Sequence, residues 1–236
     1  GFRNNGDNFD GSQQTFPKLL KEAGYETAVV GKWHLRSKPE GFSFWRVLPG
    51  QGMYYNPDFI EGDDTTRYEG YVTDLITDFA IDWLESGRDK DKPFMMLYQH
   101  KAPHRDWLPP QEYLGLFHDL AFPEPATLFD DHSGMGTAAR EAEMLISEHM
   151  GLSIDNKVDP VVLDSLGLKS FFDWYDESYY ANLAPMSQAE RSRWDSVYGE
   201  VSRDFAARNP TGDELLHHGN TLEVHAGLPC LHQVGG

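Results

Sequence analysis

The sequence predicts an α/β fold: a mostly parallel sheet flanked by helices, with an irregular peripheral insertion. Three observations predict it. A short amphipathic stretch, a glycine and an apolar run follow one another between Thr15 and Val30. A second amphipathic stretch and a second apolar run repeat that order between Val72 and Tyr98. Each apolar run ends in a polar, histidine-bearing segment, and helices alternating with apolar strands define this fold class.

The first helix is expected from Thr15 to Ala23. Thr15 suits the N-cap, Pro17 suits the first turn, and Phe16, Leu19, Leu20 and Ala23 share one face. Gly24 suits the position just past its end. Thr27-Ala28-Val29-Val30 reads as a short buried strand. Residues 37–70, rich in Gly, Pro and aromatics with little periodicity, read as a long ordered loop.

Val72 to Ser86 is the clearest helix. Val72, Leu75, Ile76, Phe79, Ala80, Trp83 and Leu84 recur at helical spacing, and Gly87 ends it. The run Pro93-Phe94-Met95-Met96-Leu97-Tyr98 reads as a central parallel strand covered on both faces. Beyond Leu108 the texture changes to proline-marked loop. Helices are expected from Thr137 to Met150 and from Gln188 to Arg203, within otherwise irregular sequence. The organisation expected is an α/β core over 1–125, a peripheral insertion or cap of the same domain over 126–211, and an atypical tail over 212–236.

That tail contains no Lys or Arg after Arg208, yet it holds His217, His218, His225, His232 and the only cysteine, Cys230. A flexible tail, a shifted reading frame near Gly212 and a metal-binding histidine segment all remain open. The spacings fit no compact ligand set. One cysteine excludes an internal disulfide framework and any Cys-rich zinc site.

The net charge of −18 argues against broad nucleic-acid or anionic-membrane binding, which needs a basic footprint. No run reaches the length of a membrane-spanning helix. Neither fact forbids a small anionic substrate, because a local cationic cluster can focus positive potential inside a negative envelope. Two clusters do this. Gly31-Lys32-Trp33-His34 follows the first strand and His100-Lys101-Ala102-Pro103-His104 follows the second. Open α/β sheets bind ligands at the carboxyl ends of their strands. Lys32 and Lys101 bring point charges, His34, His100 and His104 bring groups that titrate near neutrality, and Pro103 stiffens the loop. Crowded like charges are relieved by an anion, so a tetrahedral oxyanion such as sulfate or phosphate is the expected ligand.

The segment from Thr15 to Leu35, with its Gly-Lys-Trp-His, resembles the stretch that follows the nucleophile in type I sulfatases. These are formylglycine-dependent enzymes of the alkaline-phosphatase-like superfamily. Lys101-Ala102-Pro103-His104 after an apolar strand is similar to their second substrate loop. The resemblance covers about residues 1–125 and extends more loosely to about 210. There Phe129-Asp130-Asp131, Ala138-Ala139-Arg140, Ala189-Glu190-Arg191 and Trp194-Asp195 are similar to bacterial polysaccharide sulfatases. The resemblance implies a partial alkaline-phosphatase-like fold and a sulfuric ester hydrolase acting on sulfated carbohydrate. It implies calcium, formylglycine, and a periplasmic or secreted location. It also implies that Lys32 stabilises charge on the sulfate and His34 hydrogen-bonds the nucleophile. His104 becomes the candidate general acid, and Lys101 and His100 become substrate contacts.

The sequence also departs from the family pattern. It contains no Cys-x-Pro-Ser-Arg motif, and Cys230, in Pro229-Cys230-Leu231-His232, does not replace it. Asp63-Asp64 and Asp130-Asp131-His132-Ser133-Gly134 do not match the order and position of the calcium ligands. The expectation is an internal fragment that is inactive by itself. A phosphodiesterase or phosphonate hydrolase of the same superfamily is one alternative. A nonenzymatic anion- or glycan-binding module is another, with Trp45, Tyr54, Tyr55, Trp107 and Trp174 as candidate sugar-stacking aromatics.

Overall fold

A computed structural model describes residues 3–211, apart from 119, 121–122, 124–125, 128–129, 143–148 and 171. The expectations for 212–236, including the histidine tail and Cys230, lie outside the described residues. The chain divides into two compact units, Gly1–His104 and Arg105–Gly236.

The first unit is built on a five-stranded sheet. Its strands are β1 (Glu26–Lys32), β2 (Phe44–Leu48), β3 (Asp58–Glu61), β4 (Asp64–Arg67) and β5 (Phe94–Gln99), in the spatial order β4-β3-β2-β1-β5. β1 is parallel to both β2 and β5, whereas β3 and β4 add as an antiparallel edge. The sheet is therefore mixed, with its parallel part centred on β1. Helix α1 (Phe16–Glu22) precedes β1, with Pro17 in its first turn. Thr15 takes the N-cap backbone conformation, but its hydroxyl makes no capping bond.

Helix α2 (Val72–Asp82) continues into a π-helical turn over Trp83–Gly87. Val72, Ile76, Phe79, Ala80 and Trp83 are buried from it, which is the apolar face the helical spacing predicts. Trp83 stacks on Phe44 of β2 at 6.3 Å. The hydrophobic transfer that holds α2 in place is of the order of 1.5–3 kcal/mol for each large side chain.

Two expectations fail here. Residues 37–70 are not a loop, because they contain β2, β3 and β4. Glu61 pairs with Asp64, so Gly62 and Asp63 form a two-residue hairpin turn, with Gly62 at φ 63°. Cross-strand ion pairs Arg46–Glu61 and Arg67–Asp58 brace these short strands. Every residue of β4 is exposed and only Phe59 of β3 is buried, so hydrophobicity marks this hairpin poorly. The second failure is β5. It pairs with β1 alone among the described strands, and Phe94 and Tyr98 are 44% and 45% exposed.

The second unit is mainly helical: α3 (Thr137–Arg140), α4 (Pro160–Ser165), α5 (Trp174–Leu183) and α6 (Gln188–Arg208). Of the expected helix over 137–150, only α3 is seen before the chain leaves the helix at Glu141 and Ala142; residues 143–148 lie outside the described residues. α6 is longer than expected. It starts with a reciprocal Ser187–Glu190 capping box and ends at Asn209 in the left-handed conformation. It buries Trp194, Tyr198, Val201 and Phe205. Ahead of α4, the buried Asp155 carboxylate receives Arg105 Nε at 2.6 Å and the Gly151 amide at 2.7 Å. Asp106 accepts from Ser178 and Asn182 of α5. The hydrophobic pattern does not predict α4 or α5: the first is short, and the second mixes tyrosine, asparagine and aspartate with few aliphatic residues.

Gly31 sets the geometry of the sheet edge. It has φ 108°, and a Cβ placed there would lie 1.9 Å from the Gln99 carbonyl oxygen of β5. Only glycine accepts both the dihedral and the approach. Gly31→Ala should lower the unfolding free energy by about 3 kcal/mol, measured by urea denaturation followed through tryptophan fluorescence.

Candidate active site

The two cationic motifs leave the same edge of the sheet from adjacent parallel strands. Val30 lies opposite Tyr98 and Gly31 opposite Gln99, so Lys32 and His100 come next in the two rows. Neighbouring strands are about 4.8 Å apart. β1 is flanked on its other side by β2, where Leu48 pairs with Lys32. The first motif therefore emerges between two neighbours at the carboxyl edge.

Trp33 pins the first loop. Its indole Nε1 donates to the Ser37 carbonyl at 2.6 Å, and its ring meets Phe42 edge-on at 5.9 Å. It packs against the cluster of Val29, Phe42 and Val47. The residues on either side of it, Lys32 and His34, are both half-buried. Burial holds the Lys32 ammonium below the ordinary lysine value. A desolvated cation of this kind gains from any anion that reaches it.

The second loop is different. His104 is exposed. Lys101 is only 3% exposed, and its Nζ donates to the Gln51 carbonyl at 3.2 Å while lying 4.6 Å from the Tyr54 ring centroid. Tyr54 Oη in turn donates to the His104 carbonyl at 2.6 Å. The His104 amide closes the turn onto the Lys101 carbonyl at 3.0 Å. His100 packs edge-on against Tyr98 at 4.4 Å, and Tyr98 Oη lies 2.7 Å from Thr77 Oγ1 of α2. The His100 Nδ1 atom is buried without a hydrogen-bond partner.

The structure thus places Lys32, His34, His100, Lys101 and His104 at the ends of two adjacent strands, in two unlike settings. Sequence reasoning missed Gln51 and read Tyr54 as a sugar-stacking candidate, whereas both hold the second loop. Tyr54 and Tyr55 are buried, at 0% and 1% exposure, so they serve the packing and do not offer a face to a sugar. Trp174 is 50% exposed. Trp45 packs against the Val29 cluster.

Neither acidic pair builds a metal site. Asp63 sits in the β3–β4 turn and pairs with Lys38, and Asp64 belongs to β4. Asp130 and Asp131 are exposed, and their carboxylates cap the amides of His132 and Ser133. No group of three or more His, Cys, Asp or Glu side chains among the described residues is arranged to hold a metal ion.

The relatives identify the class to which this geometry belongs. Residues 2–145 match the family model described as Sulfatase. The chain belongs to the sulfatase family. An N-acetylglucosamine-6-O-sulfatase of Bacteroides thetaiotaomicron is 45% identical over 219 residues, which are 92% of this chain and 38% of that protein. The human N-acetylglucosamine-6-sulfatase is 30% identical over 125 residues, 46% of this chain and 22% of that protein. A solved structure described as a complex with its substrate D-glucosamine-2-N,6-O-disulfate superposes with a TM-score of 0.83 and 40% identity. It covers 98% of this chain and 46% of that one. The α/β sulfatase fold expected from the sequence is thereby established. The chain spans less than half the length of these relatives.

Burial disfavours the His100 imidazolium, so its pKa lies below the ordinary value of about 6.5. The folded chain then binds that proton more weakly than the unfolded chain, and acidification below about pH 6.5 costs stability that returns as pH rises. In urea titrations at about pH 5 and about pH 7.5, His100→Gln should lose less stability on acidification than the wild type.

Proposed function

We propose that this chain provides the sulfate-facing part of a sulfuric ester hydrolase acting on sulfated carbohydrate, an amino sugar 6-O-sulfate being the substrate class its relatives suggest. The observation that carries this reading is the emergence of both cationic motifs from the parallel pair β1 and β5 at one sheet edge. Lys32, half-buried and poorly solvated, faces the sulfate oxygens. Donors aimed at developing negative charge supply the largest part of many enzymes' rate enhancement. His104, exposed on a stiff turn, is the proton donor for the departing sugar oxygen. His34, held by Trp33, hydrogen-bonds the oxygen nucleophile.

Calcium and formylglycine, which the family resemblance implies, find no ligand set among the described residues and no Cys-x-Pro-Ser-Arg motif in the sequence. This chain alone is accordingly expected to give no turnover of an aryl sulfate. A periplasmic or secreted location belongs to the same proposal.

Isothermal titration tests the reading. N-acetylglucosamine 6-sulfate should bind, the unsulfated sugar should not, and Lys32→Met should weaken binding by about tenfold or more, since a charge-assisted contact is worth roughly 1.5–3 kcal/mol. Equal affinity for the two sugars would remove the proposal. Tighter binding of the 6-phosphate than of the 6-sulfate would favour the phosphodiesterase alternative.

A further inference from the structure

The second loop carries Lys101 and His104, and the structure sets them in different surroundings. Lys101 points inward and is engaged by the protein, whereas His104, three residues on, is displayed to solvent. What separates them is Tyr54. Its ring lies under the Lys101 ammonium and its hydroxyl holds the His104 carbonyl.

Tyr54 is itself immobilised. Its carbonyl accepts the Val72 amide at 2.8 Å at the start of α2, and its ring stacks on Tyr71 at 6.0 Å. Next to it, Tyr55 bridges to Tyr71. Asn56, in the left-handed conformation at φ 45°, exchanges bonds with Gly70 through its amide and its side-chain oxygen, both at 2.8 Å. The segment from Gln51 to Asn56 is thus tied to the start of α2, which packs on the sheet. Gln51 closes the arrangement by accepting the Lys101 ammonium. The loop bearing His104 is fastened at two points to this platform, through a side-chain ammonium and through a main-chain carbonyl.

We propose that Tyr54 is a positioning residue for His104, and that Lys101 is its partner in that task and not a contact for the bound anion. The inference rests on the reading of His104 as a substrate-facing group. A cation–π contact with a desolvated ammonium is worth up to about 2 kcal/mol, and the carbonyl of Gln51 adds a directed bond. Drawing Lys101 out to a ligand would give up both. Tyr54 acts on His104 through the backbone, so it fixes where the imidazole starts.

Tyr54→Phe keeps the ring, hence the stacking on Tyr71 and the ammonium contact, and removes only the hydroxyl. Two measurements on the full 236-residue chain then bear on different claims. Amide hydrogen exchange at His104 should accelerate by about tenfold in Tyr54→Phe, the effect of losing one anchoring hydrogen bond, while amides of β1 exchange as in the wild type. Unchanged exchange at His104 overturns the proposal, whatever the chain binds. In the second measurement, the His104 imidazole is titrated by NMR with and without N-acetylglucosamine 6-sulfate. The ligand should raise its pKa in the wild type and raise it less in Tyr54→Phe, with the His34 response retained. Altered exchange with no ligand response in either protein would leave the anchor standing and remove the substrate-facing reading. Lys101→Arg, which keeps the charge over Tyr54, should preserve ligand affinity within about twofold, whereas loss of binding equal to that of Lys32→Met would show Lys101 to be a ligand contact and overturn its assignment.

Discussion

The close approach of β1 to β5 at Gly31 is the constraint on which the rest depends. A residue with a side chain would meet the Gln99 carbonyl at 1.9 Å, so the two strands could not run in register to their ends. That register sets Lys32 beside the position of His100 and brings two cationic loops to one edge. The constraint is steric and backbone-based, and its consequence is electrostatic: fixed positive charge concentrated within a chain of net charge −18. Long-range repulsion of anions by the surface is then opposed by short-range attraction at one place.

The two loops are stabilised by different means. Trp33 gives the first loop an apolar root between its two polar side chains, leaving Lys32 and His34 half-buried and only partly solvated. Tyr54 and Gln51 give the second loop a polar root that engages one cation and leaves the next histidine exposed. A half-buried lysine interacts strongly with an anion because little water competes for it. This division follows from burial and hydrogen bonding alone.

Much of the first unit is legible in the sequence because its elements follow strong rules. α2 and the turn that continues it carry seven apolar residues at helical spacing, and β1 and β5 are apolar runs next to glycine or a charged turn. The motif residues are legible because Lys, Trp, His and Pro crowded into a short polar segment are seldom required for packing alone. The region 37–70 is harder to read because its strands are short. β3 and β4 meet at the Gly62-Asp63 turn and bury only Phe59, and the Arg46–Glu61 and Arg67–Asp58 pairs lie across the ladder. Glu61-Gly62-Asp63-Asp64 is a hairpin signal that its acidity masks. The role of Lys101 is not legible, because a lysine's direction depends on a carbonyl and a ring about fifty residues away in the chain. α5 hides for a related reason: its buried surface is largely tyrosine and hydrogen-bonded polar groups.

On the proposed reading both loops serve one anion. A sulfate titration followed by NMR tests it, with the side-chain signals of Lys32, His34 and His104 recorded at each step. All three should respond along a single saturation curve with one apparent Kd. Separate curves, or a response confined to one loop, would contradict it.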